Sequence, residues 1–190
     1  EAANGTNLEL LGTIVNDGTV RTAADGAVTG VRLASASVTL DGTGELVLGG
    51  DPTRDRVTGV SFGNLLVHGT DHVIRGGGRL GTNVIDIENL GLVLADDPAA
   101  ELSVDPVATV TNLGTLRAAS GSVLQLLGGT YLNAGGLVEA ADGGTVVLAG
   151  AGIVGGDVAT PGAGLVRVGT GSARLEDVHN LGTIELANGL

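Results

Sequence analysis

The feature that most constrains this chain is a short motif, Asn-x-Gly-x-apolar, that recurs along its length. Copies begin at Asn16, Asn89, Asn112, Asn133 and Asn180, and the three middle copies start 23 and 21 residues apart. A unit of this length cannot bury an apolar face by itself, so it must stack on its neighbours. The spacing therefore predicts a solenoid, in which each repeat forms one turn of a coil.

The residues between the motifs have the pattern of strands. Ile85 and Ile87 alternate with Asp86 and Glu88, which is typical of a strand that is buried on one side. Glycine accounts for 35 of the 190 residues, and no helical stripe of apolar residues competes with this alternation. We therefore predict an all-β fold, a single-stranded parallel β-helix (β-solenoid) of roughly eight or nine turns, each about 21–23 residues long.

The recurrent asparagine has a structural explanation. Stacked turns lie about 4.8 Å apart, which places equivalent side chains directly above one another. Amides in such a stack can hydrogen-bond along the coil axis and so satisfy groups that would otherwise be buried without partners. We predict an asparagine ladder of Asn16, Asn89, Asn112, Asn133 and Asn180; exposed positions at the surface are the alternative.

Composition narrows the function classes. The chain has no Cys, one Phe, one Tyr and a formal net charge of −12, and all nine of its basic residues are Arg. Disulfides and thiolate chemistry are excluded, and the core must consist of aliphatic side chains. The acidic balance argues against nucleic acid as a partner, and the lack of a long apolar run argues against membrane insertion in this segment. We recognise no cofactor motif.

Two groups of residues could carry chemistry. Asp86 and Glu88 lie on one strand face at a spacing compatible with a glycosidase pair, but a solvated sheet produces such pairs often. His68 and His72 group two imidazoles near Asp71 and could hold a transition metal. Their spacing fits no helical metal motif, so we expect a solvated corner there and assign neither catalytic nor metal-binding residues.

A third group interrupts the repeat. The segment 51–56 contains a proline and alternating charges, and it predicts a lateral loop that leaves the solenoid. Loops on rigid scaffolds often carry recognition, so Asp51, Arg54, Asp55 and Arg56 form our candidate contact loop. The alternative is a solvated excursion with weak ion pairs. A smaller interruption at 96–98 and 105–106 has the same two interpretations.

Several segments resemble the repeats of very large bacterial surface proteins, namely autotransporter passenger regions and filamentous-haemagglutinin-like adhesins. The resemblance is carried by residues 70–81, 87–95, 110–121 and 126–136. It implies a right-handed coil, an extracellular location at the bacterial cell surface, and a role in adhesion or as a stalk. A surface ligand of a host or a neighbouring cell is the partner that such a role implies.

The two ends of the sequence also match, because residues 1–5 and 185–189 agree at four of five positions. We expect residues 1–190 to be one β-solenoid domain, a segment of a longer repeat protein or filament, with further turns or further copies end to end. The predicted function is a non-enzymatic structural or adhesive stalk. A head-to-tail filament subunit is the alternative, and a polysaccharide-active β-helix enzyme is the weakest candidate.

Overall fold

The chain forms parallel strands that coil into a β-solenoid of about eight turns. A computed structural model describes residues 4–186. Over that range there are 22 strands and no helix, and therefore none that could cross a membrane. The predicted fold class is confirmed, whereas the right-handed sense of the coil and the division into one domain stay predictions.

The strands are short, and most of them are separated by corners of a few residues. In the first five turns they are β1 Asn7–Val15, β2 Thr19–Arg21, β3 Thr29–Asp41, β4 Glu45–Gly49, β5 Asp55–Gly59, β6 Asn64–His68, β7 Val73–Leu80, β8 Ile85–Asn89, β9 Leu92–Ala95, β10 Leu102–Val104, β11 Thr109–Asn112 and β12 Thr115–Ala118. The later ones are β13 Val123–Leu127, β14 Thr130–Leu132, β15 Leu137–Ala140, β16 Thr145–Ala149, β17 Gly152–Val154, β18 Asp157–Ala159, β19 Leu165–Val168, β20 Arg174–Glu176, β21 His179–Leu181 and β22 Ile184–Leu186.

Each strand pairs in parallel with its equivalent one turn later, which produces three stacks. The first stack contains β5, the end of β7, β10, β13, β16, β19 and β22 above the first halves of β1 and β3. The second contains β6, β8, β11, β14, β17 and β20 above the second halves of β1 and β3. The third contains β2, β4, the start of β7, β9, β12, β15, β18 and β21. Turn 3 thus comprises β5, β6 and the start of β7.

Alternate residues of each strand point into the coil, where like side chains lie above like. In the third stack the inward row is Leu46, Ile74, Val93, Leu116 and Val138, all buried. Flat stacks of aliphatic side chains fill a narrow core, and the hydrophobic effect contributes about 25 cal/mol for each Å² of apolar surface removed from water.

Tyr131 is the exception to the aliphatic core. It is fully buried in the second stack, where its hydroxyl donates to the carbonyl oxygen of Val104 at 2.8 Å. Burial raises the pKa of this phenol well above its ordinary value. The polar end of the only tyrosine is therefore satisfied by backbone, as buried phenols require.

The early turns are less regular than the repeat predicts. β1, β3 and β7 have 9, 13 and 8 residues and run through the corner between two stacks, whereas the strands from β8 onward have three to five residues each. In β7 this bend is made by Gly76, whose φ is +107°, and a Cβ there would lie 2.1 Å from the carbonyl oxygen of Leu48. Glycine is thus required where the strand turns. Most of the two matching terminal segments lies outside the described residues.

Candidate functional site

A ladder of buried amides runs along the corner between the second and third stacks. Asn89, Asn112 and Asn133 end successive strands or directly follow them, and none is exposed to solvent. Nδ2 of Asn89 donates to Oδ1 of Asn112 at 2.7 Å, and Nδ2 of Asn112 donates to Oδ1 of Asn133 at 2.6 Å. The three amides form one continuous hydrogen-bonded series along the axis.

Each amide also binds backbone. The Nδ2 groups of Asn89, Asn112 and Asn133 donate to the carbonyl oxygens of Thr115, Leu137 and Asp157, at 3.3, 3.2 and 3.2 Å. Both amide protons are therefore used, which removes the cost of burying them.

The glycine of the motif is required by the same packing. A Cβ on Gly114, two residues after Asn112, would lie 2.1 Å from the carbonyl oxygen of Gly91 in the turn below. A real Cβ never approaches an oxygen so closely. The Asn-x-Gly motif thus combines an inward amide with a corner that has no space for a side chain.

Two histidines continue the ladder into turn 3. His68 pairs in register with Asn89, and its Nδ1 lies 2.6 Å from Oδ1 of Asn89. Nε2 of His68 lies 3.2 Å from Nδ1 of His72, and Nε2 of His72 lies 3.0 Å from Nδ2 of Asn16. The two rings meet edge to face, with centroids 5.3 Å apart. We call this series of six side chains, from Asn16 to Asn133, the polar column.

The expectation of a solvated corner at His68 and His72 is wrong. Both side chains are fully buried, whereas Thr70 and Asp71 between them are exposed. The corner turns its small polar residues outward and both rings inward beneath turn 4. Over residues 4–186, no three His, Cys, Asp or Glu side chains are grouped so that they could hold a metal ion.

The hydrogen bonds of the column all run in one direction. At its upper end Nδ2 of Asn133 faces the carbonyl oxygens of Gly155 and Asp157, which can only accept, so its Oδ1 must face Asn112. The same reasoning passes down the ladder and leaves Oδ1 of Asn89 facing His68. Nδ1 of His68 must therefore carry the proton that it donates to Asn89.

The lower end leads independently to the same assignment. Asn16 donates from Nδ2 to the carbonyl oxygen of Glu45, and its Oδ1 accepts from the backbone of Gly18. Asn16 consequently presents Nδ2 to His72, so Nε2 of His72 accepts and its Nδ1 donates to His68. Both imidazoles are neutral with the proton on Nδ1, and neither has a nitrogen free for another partner.

Burial disfavours the charged form of both rings. It lowers the pKa of His68 to about 4, and the nearby His72 lowers it further, while the hydrogen bond to Asn89 opposes the shift. Burial also lowers the pKa of His72, and the charges of Asp41 and Glu45 oppose it. The lowered pKa values agree with the neutral tautomers that the hydrogen bonds require.

The other two predicted members of the ladder, Asn16 and Asn180, do not adjoin its three buried amides. Asn16 is half-buried at the lower end of the column, two turns below His72. Asn180 is exposed in the third stack, paired with Val158, and its amide bonds only its own corner at Gly182. Asn180 is outside the ladder because the register above Leu132 runs through Val154 to Glu176, so Gly155 and Asp177 lie above Asn133 and Asn180 follows three residues later, in β21.

The candidate contact loop is divided by the structure. Asp51 closes a tight turn, in which its side chain accepts from the backbone of Thr53 and Arg54 and pairs with the Arg54 guanidinium at 2.9 Å. Asp55 is fully buried at the start of β5, where it accepts from the backbone of Ala24 and Asp51. Asp55 is thus an internal anchor and cannot be a contact residue, which corrects that part of the prediction.

Arg56 also belongs to β5 and stands beside Arg79 of the next turn on the outer surface. Within the predicted loop only Thr53 and Arg54 are exposed, and Asp51, Pro52 and Arg56 are half-buried. The predicted pair Asp86 and Glu88 is half-buried, and Asp86 accepts from the backbone of Ala108 and Thr109. This carboxylate has a structural role at the corner below turn 5.

Two shallow depressions flank the smaller interruption. One, of about 330 Å³, lies between Pro52 and Pro98 and extends to Val123. The other, of about 240 Å³, contains Arg21 and Arg75. Arg75 is already paired with Glu45 at 2.6 Å and with Asp96 at 2.9 Å.

These features define the class of protein as a parallel β-solenoid of stacked repeats, with a buried polar column as its most specialised internal feature. Comparisons of the chain with protein-family models, with curated proteins and with solved structures found no match.

Proposed function

We propose that the chain is a non-enzymatic structural β-solenoid that acts as a rigid extracellular stalk or surface fibre. The observation that supports this most directly is the continuity of the stacking. Strand pairing, aliphatic rows and polar column each pass from turn to turn without a break in the middle of the coil. Turns about 4.8 Å apart give a span of about 40 Å over eight turns.

The location at a bacterial cell surface and the adhesive role rest on the resemblance of the repeats to autotransporter passenger regions and filamentous-haemagglutinin-like adhesins. In this proposal the partner is a surface ligand of a host or neighbouring cell. The turn at 51–54 is the contact site that we favour, because Arg54 is exposed on a turn that Asp51 holds in one conformation.

The stalk function is tested by lengthening the coil. Residues 89–132 comprise two whole turns, and a second copy inserted after Leu132 restores the motif at Asn133. We expect the maximum dimension measured by small-angle X-ray scattering to increase by about 10 Å, with no loss of stability to urea. The matched control duplicates 89–131, which breaks the register of every later strand and should unfold the added turns. An in-register variant that is not longer would contradict a stalk.

A head-to-tail filament is the second candidate. In the first and last described turns, the inward rows end in exposed apolar residues, such as Leu8, Leu175 and Leu186. Another copy or further turns of the same chain would cover them. Electron microscopy over a range of protein concentrations should then show end-to-end series that a Leu8→Arg variant shortens. A wild-type protein that remains monomeric throughout would exclude this candidate.

A polysaccharide-active enzyme is supported least. Sugar-binding grooves use aromatic platforms, but Tyr131 is buried in the core, and Phe62 stands exposed on the corner between β5 and β6. Release of reducing sugars from acidic polysaccharides by the wild-type protein would revive this candidate.

A further inference from the structure

The lower part of the polar column joins turns 1, 2 and 3, and it contains two titratable groups, the imidazoles of His68 and His72. Asn16 of turn 1 donates to Glu45 of turn 2 and to His72 of turn 3, and its backbone carbonyl accepts from Gly44. We call Asn16, His72 and His68 the imidazole half of the column. Asn89, Asn112 and Asn133 are the amide half.

A proton added to either ring of the imidazole half creates an N–H group that has no hydrogen-bond acceptor. If it binds Nε2 of His72, two donors face each other across the 3.0 Å to Asn16. If it binds Nε2 of His68, two donors face each other across the 3.2 Å to His72. The amide half cannot reverse to help, because Asn133 must keep Nδ2 against the carbonyl oxygens of turn 7. The two facing donors can be separated only if Asn16, which is half-buried, turns its amide round.

We propose that the imidazole half is an acid-sensitive lock, which fastens turns 1 and 2 to turn 3 while both rings are neutral and releases them when the rings are protonated. If Asn16 turns its amide round, it gives up its bonds to Glu45 and Gly18. Because a solenoid unit touches only its neighbours, the release stays at this end of the coil and leaves the middle turns folded.

The charged groups around the lock do not outweigh the effect of burial, and the pKa of His72 is lowered on balance. Asp41, at the end of β3, and Glu45, at the start of β4, face His72. The Glu45 carboxylate already bonds Arg75 at 2.6 Å and Thr19 at 3.1 Å, and Arg75 holds its pKa below the ordinary value. From the β8 side, His68 meets only the uncharged Asn89.

The other carboxylates near the lock are occupied or point outward. Asp17, next to Asn16, accepts from the backbone and hydroxyl of Thr43, which lowers its pKa. Asp71, in the corner between the two histidines, is exposed. The acid response between pH 6.5 and 4.5 is therefore assigned to the imidazoles rather than to these acids.

The test compares the wild-type protein with a variant in which the lock cannot be protonated. His68→Asn extends the amide ladder by one step, and His72→Gln can still donate toward residue 68 and accept from Asn16. Hydrogen exchange, corrected for intrinsic rates, is measured at pH 7 and pH 4.5 over residues 4–49 and over 109–149. In the wild-type protein we expect protection of 4–49 to fall on the order of 100-fold at pH 4.5, and that of 109–149 to change much less.

The double variant H68N/H72Q should keep its protection at pH 4.5. The matched control is His179→Gln, which removes an exposed histidine and should respond to acid as the wild-type protein does. If the double variant loses protection as the wild-type protein does, carboxylates cause the release and the proposal is wrong.

A spectroscopic measurement on the wild-type protein keeps the test decisive if the double variant does not fold. Long-range ¹H–¹⁵N NMR at pH 7 should show both rings with the proton on Nδ1, titrating only as residues 4–49 lose protection. Rings with the proton on Nε2, or rings that titrate near pH 6.5 with the fold intact, would overturn the lock.

Discussion

The two halves of the polar column have the same geometry and different chemistry. In the amide half each side chain donates upward and accepts from below, and the imidazoles of His68 and His72 do the same in turn 3. An amide cannot take up a proton at ordinary pH, whereas a neutral imidazole accepts through a nitrogen that can. Each position in the column requires a side chain with one hydrogen-bond donor and one acceptor on opposite sides. The residue that supplies them decides whether the structure responds to acid.

The turns around the two halves differ as well. Asn112 and Asn133 of the amide half lie in turns made of three short strands. The imidazole half lies where β3 and β7 run through corners and where the core row of the first stack contains the buried Asp55. Asp55, His68 and His72 are nevertheless hydrogen-bonded to backbone or within the column, whereas the buried Nε of Arg56 in β5 has no partner.

The largest expected effect comes from breaking the amide half. Asn112→Leu leaves Nδ2 of Asn89 and Oδ1 of Asn133 without their partners, and burial makes each loss costly. We expect the free energy of unfolding, measured with urea, to fall by about 4 kcal/mol. The same substitution at Asn180, outside the ladder, should change it by less than about 0.5 kcal/mol. Equal losses at the two positions would mean that the ladder adds nothing.

A second pair of changes compares how closely the two halves are packed. A Cβ on Gly91 would lie 2.3 Å from the carbonyl oxygen of Gly69 and 3.0 Å from the His68 ring, and Gly114 is equally confined. Gly91→Ala and Gly114→Ala should each cost about 3 kcal/mol in thermal or urea unfolding. Gly63→Ala, with φ of +77° but no atom within 4 Å, should cost about 1 kcal/mol. A small loss at Gly91 alone would show that the imidazole half is loosely packed.

The pH dependence of stability separates the halves chemically. Because the pKa of His68 is about 4 in the folded chain and near 6.5 when unfolded, the unfolded state binds more protons between these values. Stability is therefore greatest above pH 6.5 and falls as pH decreases toward 4. For His68 the loss by pH 4.5 is about 2–3 kcal/mol, and a His68→Asn variant should lack it in urea titrations at each pH. Identical profiles would assign the loss to other groups.

The smallest expected effect is at the lower end of the column, where one substitution should reverse the direction in which His72 makes stability depend on pH. Asn16→Asp places a carboxylate against Nε2 of His72, so the protonated ring gains a partner and its pKa rises. This contribution is present below pH 6.5 and disappears as pH increases through the raised pKa. Relative to the wild-type protein, we expect the variant to gain about 1 kcal/mol between pH 8 and pH 6. Asn180→Asp provides the exposed control, and a gain of the same size there would contradict the assignment.

Much of the fold could be predicted from the sequence because its signals are local. The period of the motif and the alternation around Ile85 and Ile87 depend only on neighbouring residues, and they predict stacked parallel turns. Three of the five recurrent asparagines form the ladder, while Asn180 has the same local motif at a different phase of the coil. A motif specifies a corner, but the lengths of the preceding turns decide which stack that corner joins.

The ladder predicted from the sequence omits the two histidines, His68 and His72. His68 precedes Asn89 by 21 residues, the same spacing that separates Asn112 from Asn133, so the period could have placed it in the ladder. The pattern around His68 predicts a solvated corner, and the alternating charges of segment 51–56 predict an exposed loop at Asp55. Burial of such residues depends on partners far along the chain, such as the backbone of Ala24 for Asp55, which no local pattern reveals.

By itself, the sequence determined that this chain coils into a β-solenoid of stacked parallel strands with an aliphatic core, because the period of the motif and the alternation of apolar residues act between residues close in the chain. Only the tertiary structure decided which polar residues enter that core, how far the ladder extends and which nitrogen of each histidine carries the proton. Those outcomes depend on hydrogen bonds between turns, where each donor is matched to an acceptor that lies 21 or more residues away in most of the column.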